Sequence, residues 1–196
     1  MKKIIFATGN EHKAEEVRAI FSEMNIELVT LNDLENPPEI IEDGSSFEEN
    51  SLIKAQTVFN RYKMPVLADD SGLEVEQLNG APGIYSARYS GEEGNYKKNN
   101  EKLLADLSGL PEPHKARFVC VVSYIDGDNV FTAEGELRGE IIEEYRGNNG
   151  FGYDPLFKPE GYSKTLAEIS PEEKNSISHR ARAFEKMKRK LGLESL

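Results

Sequence analysis

The chain has 196 residues, 38% of them hydrophobic, and carries 35 Asp and Glu against 24 Lys and Arg, a formal charge of -11. That is enough apolar material to bury a real core, as one large domain or two intimate lobes. The acidic balance repels a phosphodiester backbone and removes the counterion release that drives polymer binding, so a DNA or RNA partner is excluded while a small anion bridged by a divalent cation is not.

The single cysteine, Cys120, lies in the apolar run Val119-Cys120-Val121-Val122 and reads as a small buried hydrophobe. Ile4 to Ala7 is too short for the apolar region of a signal peptide, and no stretch approaches the roughly 20 apolar residues of a membrane span. A cytoplasmic protein without a membrane partner is expected.

In chain order, Lys2 to Thr8 reads as a strand. A Gly9-Asn10 turn follows, then a helix with Ala14, Val17, Ile20, Phe21 and Met24 on one face, then a strand from Ile26 to Leu31. This is a βαβ unit with parallel strands. A loop with Pro37, Pro38, Glu39, Glu42 and Gly44 leads to a helix from about Phe47 to Tyr62, ended by Met64-Pro65. Pro65 to Ala68 is a short strand that ends at Asp69-Asp70, and a helix is expected from about Asn95 to Leu107. Lys115 to Ile125 and Val130 to Glu143 are β-rich runs joined at Asp126-Gly127-Asp128-Asn129, which favours a hairpin. After a glycine-rich loop from Gly147 to Asp154, Ser170-Pro171-Glu172-Glu173 has capping-box chemistry, and a last helix runs from about Ser178 to Leu191.

Thr8-Gly9-Asn10, with Lys13 one turn into the helix, presents amides, the positive end of a helix dipole and an ammonium to a phosphate, or is an ordinary strand-helix turn. Asp69 and Asp70 stand at the carboxyl end of a strand, where open α/β sheets bind ligands. Adjacent strand residues point to opposite faces, so the two reach one metal ion only if the backbone turns at Ser71-Gly72. The alternative is a solvated acidic turn, which the apolar approach Val66-Leu67-Ala68 disfavours. Glu42, Glu48 or Glu49 could complete such a site, and magnesium is the expected ion because it takes hard oxygen ligands and keeps waters. His12, His114 and His179 are scattered and show no zinc-ligand spacing. Phe151, in Gly150-Phe151-Gly152-Tyr153-Asp154-Pro155, offers a stacking face for a base or is a core aromatic beneath a tight turn. Lys174, His179 and Arg180 gather positive charge around the start of the last helix. Basic side chains there oppose the helix dipole, a cost that a bound anion or a carbonyl-rich base could offset.

Together these stretches resemble the inosine triphosphate pyrophosphatase family. The matching pieces are Ala7-Thr8-Gly9-Asn10 with Lys13, Phe47-Glu48-Glu49-Asn50 with Lys54-Ala55, Ala68 to Leu73, Gly83 to Tyr89, Arg117 to Cys120, Gly150 to Pro155, and Glu173-Lys174-Asn175 with Ser178-His179-Arg180. They follow in the right order over almost the whole chain. The resemblance implies an elongated α/β fold in which one domain, residues 1–196, forms two lobes around a central mixed sheet flanked by helices. It also implies a homodimer and magnesium-dependent hydrolysis of dITP, ITP and XTP to the monophosphate and pyrophosphate. By the same resemblance Asp70 is the general base and a metal contact, with Asp69 and Glu42 the other acids at the metal and Glu39 the alternative to Glu42. Thr8, Gly9, Asn10, Glu11, His12, Lys13, Ser71, Phe151, Gly152, Tyr153, Asp154, Lys174, His179 and Arg180 are implied substrate contacts. A non-catalytic reading treats the acids as a magnesium-binding sensor, but receiver domains place theirs after the first strand, whereas here they follow a later one.

Overall fold

A computed structural model describes residues 2–127 and 129–193. Within these residues six strands form one sheet in the order β2-β1-β3-β4-β5-β6, with β1 Lys2–Phe6, β2 Ile26–Thr30, β3 Val66–Val75, β4 His114–Asp126, β5 Asn129–Ile141 and β6 Phe157–Pro159. The helices are α1 Glu11–Ile20, α2 Phe47–Tyr62, α3 Tyr96–Leu107, α4 Pro171–Ile177 and α5 His179–Lys190. The sheet is mixed, because β1 runs parallel to both β2 and β3 while β5 and β6 are antiparallel. The hairpin expected between β4 and β5 includes Asp128, which lies outside the described residues.

The chain divides into two compact units. The first comprises Met1–Asp70, Cys120–Gly135 and Arg180–Leu196, and the second Ser71–Val119 and Glu136–His179. In the first unit the strand period of two sorts the core. Ile4, Phe6 and Leu67 pack with Val17 of α1, with Phe21 at its C-cap, and with Phe184 and Met187 of α5. Ile5, Ala7, Val66 and Ala68 pack instead with Ala55 and Val58 of α2. Because β1 and the start of β3 are covered on both sides, they read as continuous apolar runs. Phe184 meets Phe6 and Phe21 edge-on, with centroids 5.6 and 6.1 Å away, and its truncation to Ala should cost about 3–5 kcal/mol. The second unit has its own core, in which Leu73, Val75, Leu103, Leu107, Phe118, Leu156 and Phe157 meet.

One expectation is corrected and one strand is added. The strand carrying Asp69 and Asp70 does not stop at them, and no turn occurs at Ser71-Gly72: β3 continues to Val75, with Leu73 and Val75 buried in the second core. Tertiary burial outweighs the local turn preference of Ser-Gly. The three-residue strand β6 has no counterpart among the expected elements, because Phe157–Pro159 is too short to show a period.

Candidate active site

The parity of β3 decides what its two acids can touch. Asp69 lies in step with Leu67 and turns to α1 and α5; Asp70 lies in step with Ala68 and turns to α2.

Asn10 caps α1 by accepting from the Lys13 amide at 3.3 Å, and its own amide donates to Thr8 Oγ1 at 3.1 Å. Lys13 Nζ reaches Asp69 Oδ2 at 3.2 Å. Arg180, the second residue of α5, donates from Nε to the same oxygen at 3.2 Å, and its Nη1 pairs with Glu16 of α1. Asp69 is 1% exposed. Burial opposes its charge, but Lys13, Arg180 and Lys54 outweigh it and hold the carboxyl well below the usual carboxylate range. Cys120 Sγ also lies 3.7 Å from Asp69, and burial, with the Asp69 charge, pushes its thiol far above the ordinary range, so it is an inert core residue.

On the other side of the strand, Lys54 of α2 places Nζ 3.2 Å from Asp70 Oδ1 and 2.8 Å from Glu42 Oε2. Asn50, one helical turn earlier, donates from Nδ2 to Asp70 Oδ2 at 3.2 Å and accepts from the Gly44 amide at 2.9 Å. The loop that carries Glu42 is thereby tied to the helix that holds Asp70. Gly44 is required by close approach, since a Cβ there would stand 2.7 Å from Asn50 Oδ1 and 2.8 Å from Glu49 Cβ. The result for Asp70 is the reverse of that for Asp69. Burial raises its pKa, Lys54 and Lys13 only partly offset this, and Glu42 adds to it. Asp70 is a buried acid short of positive charge, poised to take a proton or a cation.

The fit to a metal ion follows from this. Among the described residues, the oxygens of Glu42, Asp69 and Asp70 do not come within 4.8 Å of one another as a set of three. Glu42 and Asp70 do converge on one ammonium, and two carboxylates are a donor set that fits magnesium, which takes its remaining ligands from water. Asp69 stands on the opposite face, engaged by Lys13 and Arg180. Glu39, the alternative to Glu42, is exposed.

The second unit gathers a different set. Gly150 adopts φ +73°, and a Cβ there would fall 2.1 Å from Asp154 Oδ2. That oxygen accepts from the Phe151 amide at 2.9 Å and from Lys174 Nζ at 2.6 Å. Lys174 Nζ sits 4.7 Å from the centre of the Phe151 ring, and the Tyr96 ring lies 5.9 Å from it. His179 stacks on Phe118 with centroids 4.8 Å apart and planes 12° from parallel. Gly152 gives its carbonyl to Asn100 Nδ2 at 3.0 Å, and the buried Tyr153 donates its hydroxyl to the Ser86 carbonyl at 2.8 Å, which commits it to the core. Ser71 is half-buried on β3.

Not every expected contact joins these clusters. Glu11 and His12 are exposed, and the Glu11 carboxylate pairs with Arg18 on the surface. Conversely, Lys54, Asn50 and Glu16 belong to the first cluster without a role expected of them from the sequence. Lys54 and Asn50 had a signal: both are polar residues on the buried stripe of α2 with Phe47, Ser51, Ala55 and Val58.

Residues 4–190 match the model of the Ham1 family. The chain is 49% identical over 197 residues to the dITP/XTP pyrophosphatase of Clostridium perfringens, covering 96% of each protein. It is 48% identical to that of Bacillus licheniformis, covering 95% of this chain and 96% of the relative. Among solved structures, the Ham1 protein of Staphylococcus aureus superimposes with a TM-score of 0.88 at 39% identity, covering 99% of this chain and all of that one. A Ham1 protein from Coxiella burnetii does so at 0.89 and 36%, with the same coverage. With its α/β fold, its acidic strand and this likeness along the full length, the chain belongs to the Ham1 family.

Proposed function

We propose that this chain hydrolyses the non-standard purine nucleoside triphosphates dITP, ITP and XTP to the monophosphate and pyrophosphate, removing deaminated purines from the nucleotide pool. The reading is carried by Asp70, a buried carboxylate held in place by Lys54 and Asn50 yet left short of positive charge. The names of the relatives, dITP/XTP pyrophosphatases, supply the substrate class.

In this reading Asp70 orients a water for in-line attack on the α-phosphorus and takes its proton. Asp70 and Glu42 hold magnesium, whose charge when bound offsets that of the phosphates. Asp69 backs them by keeping Lys13 in place at the start of α1. The Thr8-Gly9-Asn10-Glu11-His12-Lys13 turn faces the triphosphate with its amides and the Lys13 charge, and Ser71 adds a hydroxyl. For the base, Phe151 supplies a stacking face, Gly152, Tyr153 and Asp154 shape the loop around it, and Lys174, His179 and Arg180 supply donors to a 6-keto oxygen. Adenine would set an amino group against those donors and leave buried groups unsatisfied, at about 1–3 kcal/mol each.

We extend the proposal to a single catalytic domain of two lobes that works as a cytoplasmic homodimer. What supports this is the family resemblance and, among the described residues, the absence of any helix long and apolar enough to cross a membrane. Light scattering on the purified protein should then give twice the chain mass. The direct test of activity incubates the protein with magnesium and dITP and separates the products. Equimolar dIMP and pyrophosphate, lost in Asp70→Asn, is the expected result, and release of orthophosphate would refute the mechanism.

A further inference from the structure

We propose that Glu112, His114 and Glu143 form a second divalent-metal site, distinct from the Asp70 cluster and suited to an ion that accepts an imidazole nitrogen, such as zinc. The three come from the loop before β4, the first residue of β4, and the segment just after β5, so the second glutamate lies 29 positions after the histidine and no spacing motif announces them. Each offers a donor atom, and the three donors lie within 4.8 Å of one another. Ligands at about 2.0–2.2 Å from zinc in a tetrahedron stand about 3.4 Å apart, and the two exposed glutamate side chains have the freedom to adjust to that spacing.

The histidine is the second and independent observation. His114 is 1% exposed, and among the described residues its Nε2 has no hydrogen-bond partner. Its tautomer follows from the neighbours. Gln77 Nε2 lies 2.7 Å from the Pro111 carbonyl, which can only accept, so the amide nitrogen of Gln77 is fixed on that side. Gln77 Oε1 therefore faces His114 Nδ1, at 2.6 Å, and Nδ1 must be the protonated nitrogen. In the neutral imidazole this leaves the lone pair on Nε2, which is buried and, among the described residues, without a hydrogen-bond partner, on a ring grouped with two carboxylates. Acceptors gathered in this way remain unsatisfied until a proton or a metal cation enters among them. The carbonyl–glutamine–histidine chain is also the arrangement that orients metal-bound imidazoles and raises their basicity. Nitrogen ligation favours zinc over magnesium, which prefers oxygen and water. An ion here would pin the loop before β4 to the segment after β5 within the second unit.

The test titrates the full chain with zinc chloride, by calorimetry and by competition with a chromophoric chelator, and repeats it on Glu112→Gln, Glu143→Gln, Gln77→Leu and Asp70→Asn. One equivalent of zinc should bind to the wild type and to Asp70→Asn. Each glutamate variant should weaken it at least tenfold, and Gln77→Leu, which releases Nδ1, should weaken it about tenfold. Zinc should raise the melting temperature of the wild type and leave that of Glu143→Gln unchanged. His114→Gln should abolish binding, but because His114 is buried, its loss could also disturb the fold, and the exposed glutamates decide the outcome. Zinc affinity unchanged within twofold in both glutamate variants, or lost in Asp70→Asn alone, would overturn the proposal. Neither result touches the hydrolase reading, which stands or falls on product release by magnesium-supplied enzyme.

Discussion

Asp69 and Asp70 are chain neighbours with identical side chains, yet neutralising them should have opposite effects on stability. Asp69 sits in a buried network with two cationic nitrogens each 3.2 Å away. Asp69→Asn keeps the shape but takes the shared anion from Lys13 and from Arg180, which keeps Glu16, and breaking one side of a buried ion pair costs about 3–5 kcal/mol. At about 2–4 °C per kcal/mol for a chain of this length, the melting temperature should fall by about 6–20 °C at pH 7. Asp70→Asn removes a charge that its surroundings disfavour, so the metal-free protein should melt at the same or a higher temperature while losing turnover. The pH dependence separates the two further. The folded-state pKa of Asp69 is lowered, so its stabilisation is present above its unfolded value and is lost as pH falls toward the folded one; the gap between wild type and Asp69→Asn should close below about pH 4. For Asp70 the pKa is raised, so the wild type loses stability relative to Asp70→Asn as pH rises through the folded value. Calorimetry and urea titration from about pH 2 to 8, with chelator present, measure both. Equal shifts in the two variants, or a loss below about 1 kcal/mol for Asp69→Asn, would refute the assignment of the two acids to opposite faces with opposite electrostatics.

Lys54→Met should lower kcat by about 10²–10³, the loss typical of removing one preorganised charged group, and should move the acid limb of the kcat/KM profile to higher pH, because Lys54 is what holds the Asp70 pKa down. An unmoved limb would exclude Asp70 as the titrating base. Gly44→Ala, whose new Cβ would meet Asn50 and Glu49 below 3 Å, should cost about 1–3 kcal/mol and reduce activity through the displaced Asn50–Asp70 hydrogen bond; unfolding and initial-rate measurements check the two effects. Asp154→Ala takes the carboxylate from Lys174, itself buried, and should destabilise by about 3–5 kcal/mol, read by urea titration, with a raised KM for dITP.

Much of the fold is legible in the residues alone. Asn10, Ser46 and Ser170 each cap the helix that follows, and α2 occupies the span its apolar stripe and Met64-Pro65 stop announce. The alternation Ile4-Ile5-Phe6-Ala7 already contains the two faces that become two cores. The same alternation implied that Asp69 and Asp70 point apart, provided the strand ran on. Whether it ran on was not local information, since Ser71-Gly72 is good turn chemistry, and only burial of Leu73 and Val75 in the second core makes extension win. The charges of the two acids were equally beyond a linear reading. Residue types and spacing say that two carboxylates lie side by side, but a pKa is set by distances to Lys13, Arg180, Lys54 and Glu42, which come from four separate stretches of chain. The Glu112–His114–Glu143 group lies wholly on that side of the divide. The histidines show no zinc-ligand spacing, and the fold brings the three donors together because β4 and β5 are neighbours in the sheet and the segments beside them carry these residues. What the sequence by itself determined was periodicity, caps and the chemical groups available; which groups meet, and with what protonation, was decided by tertiary packing, because electrostatic and coordination energies depend on distance in space rather than along the chain.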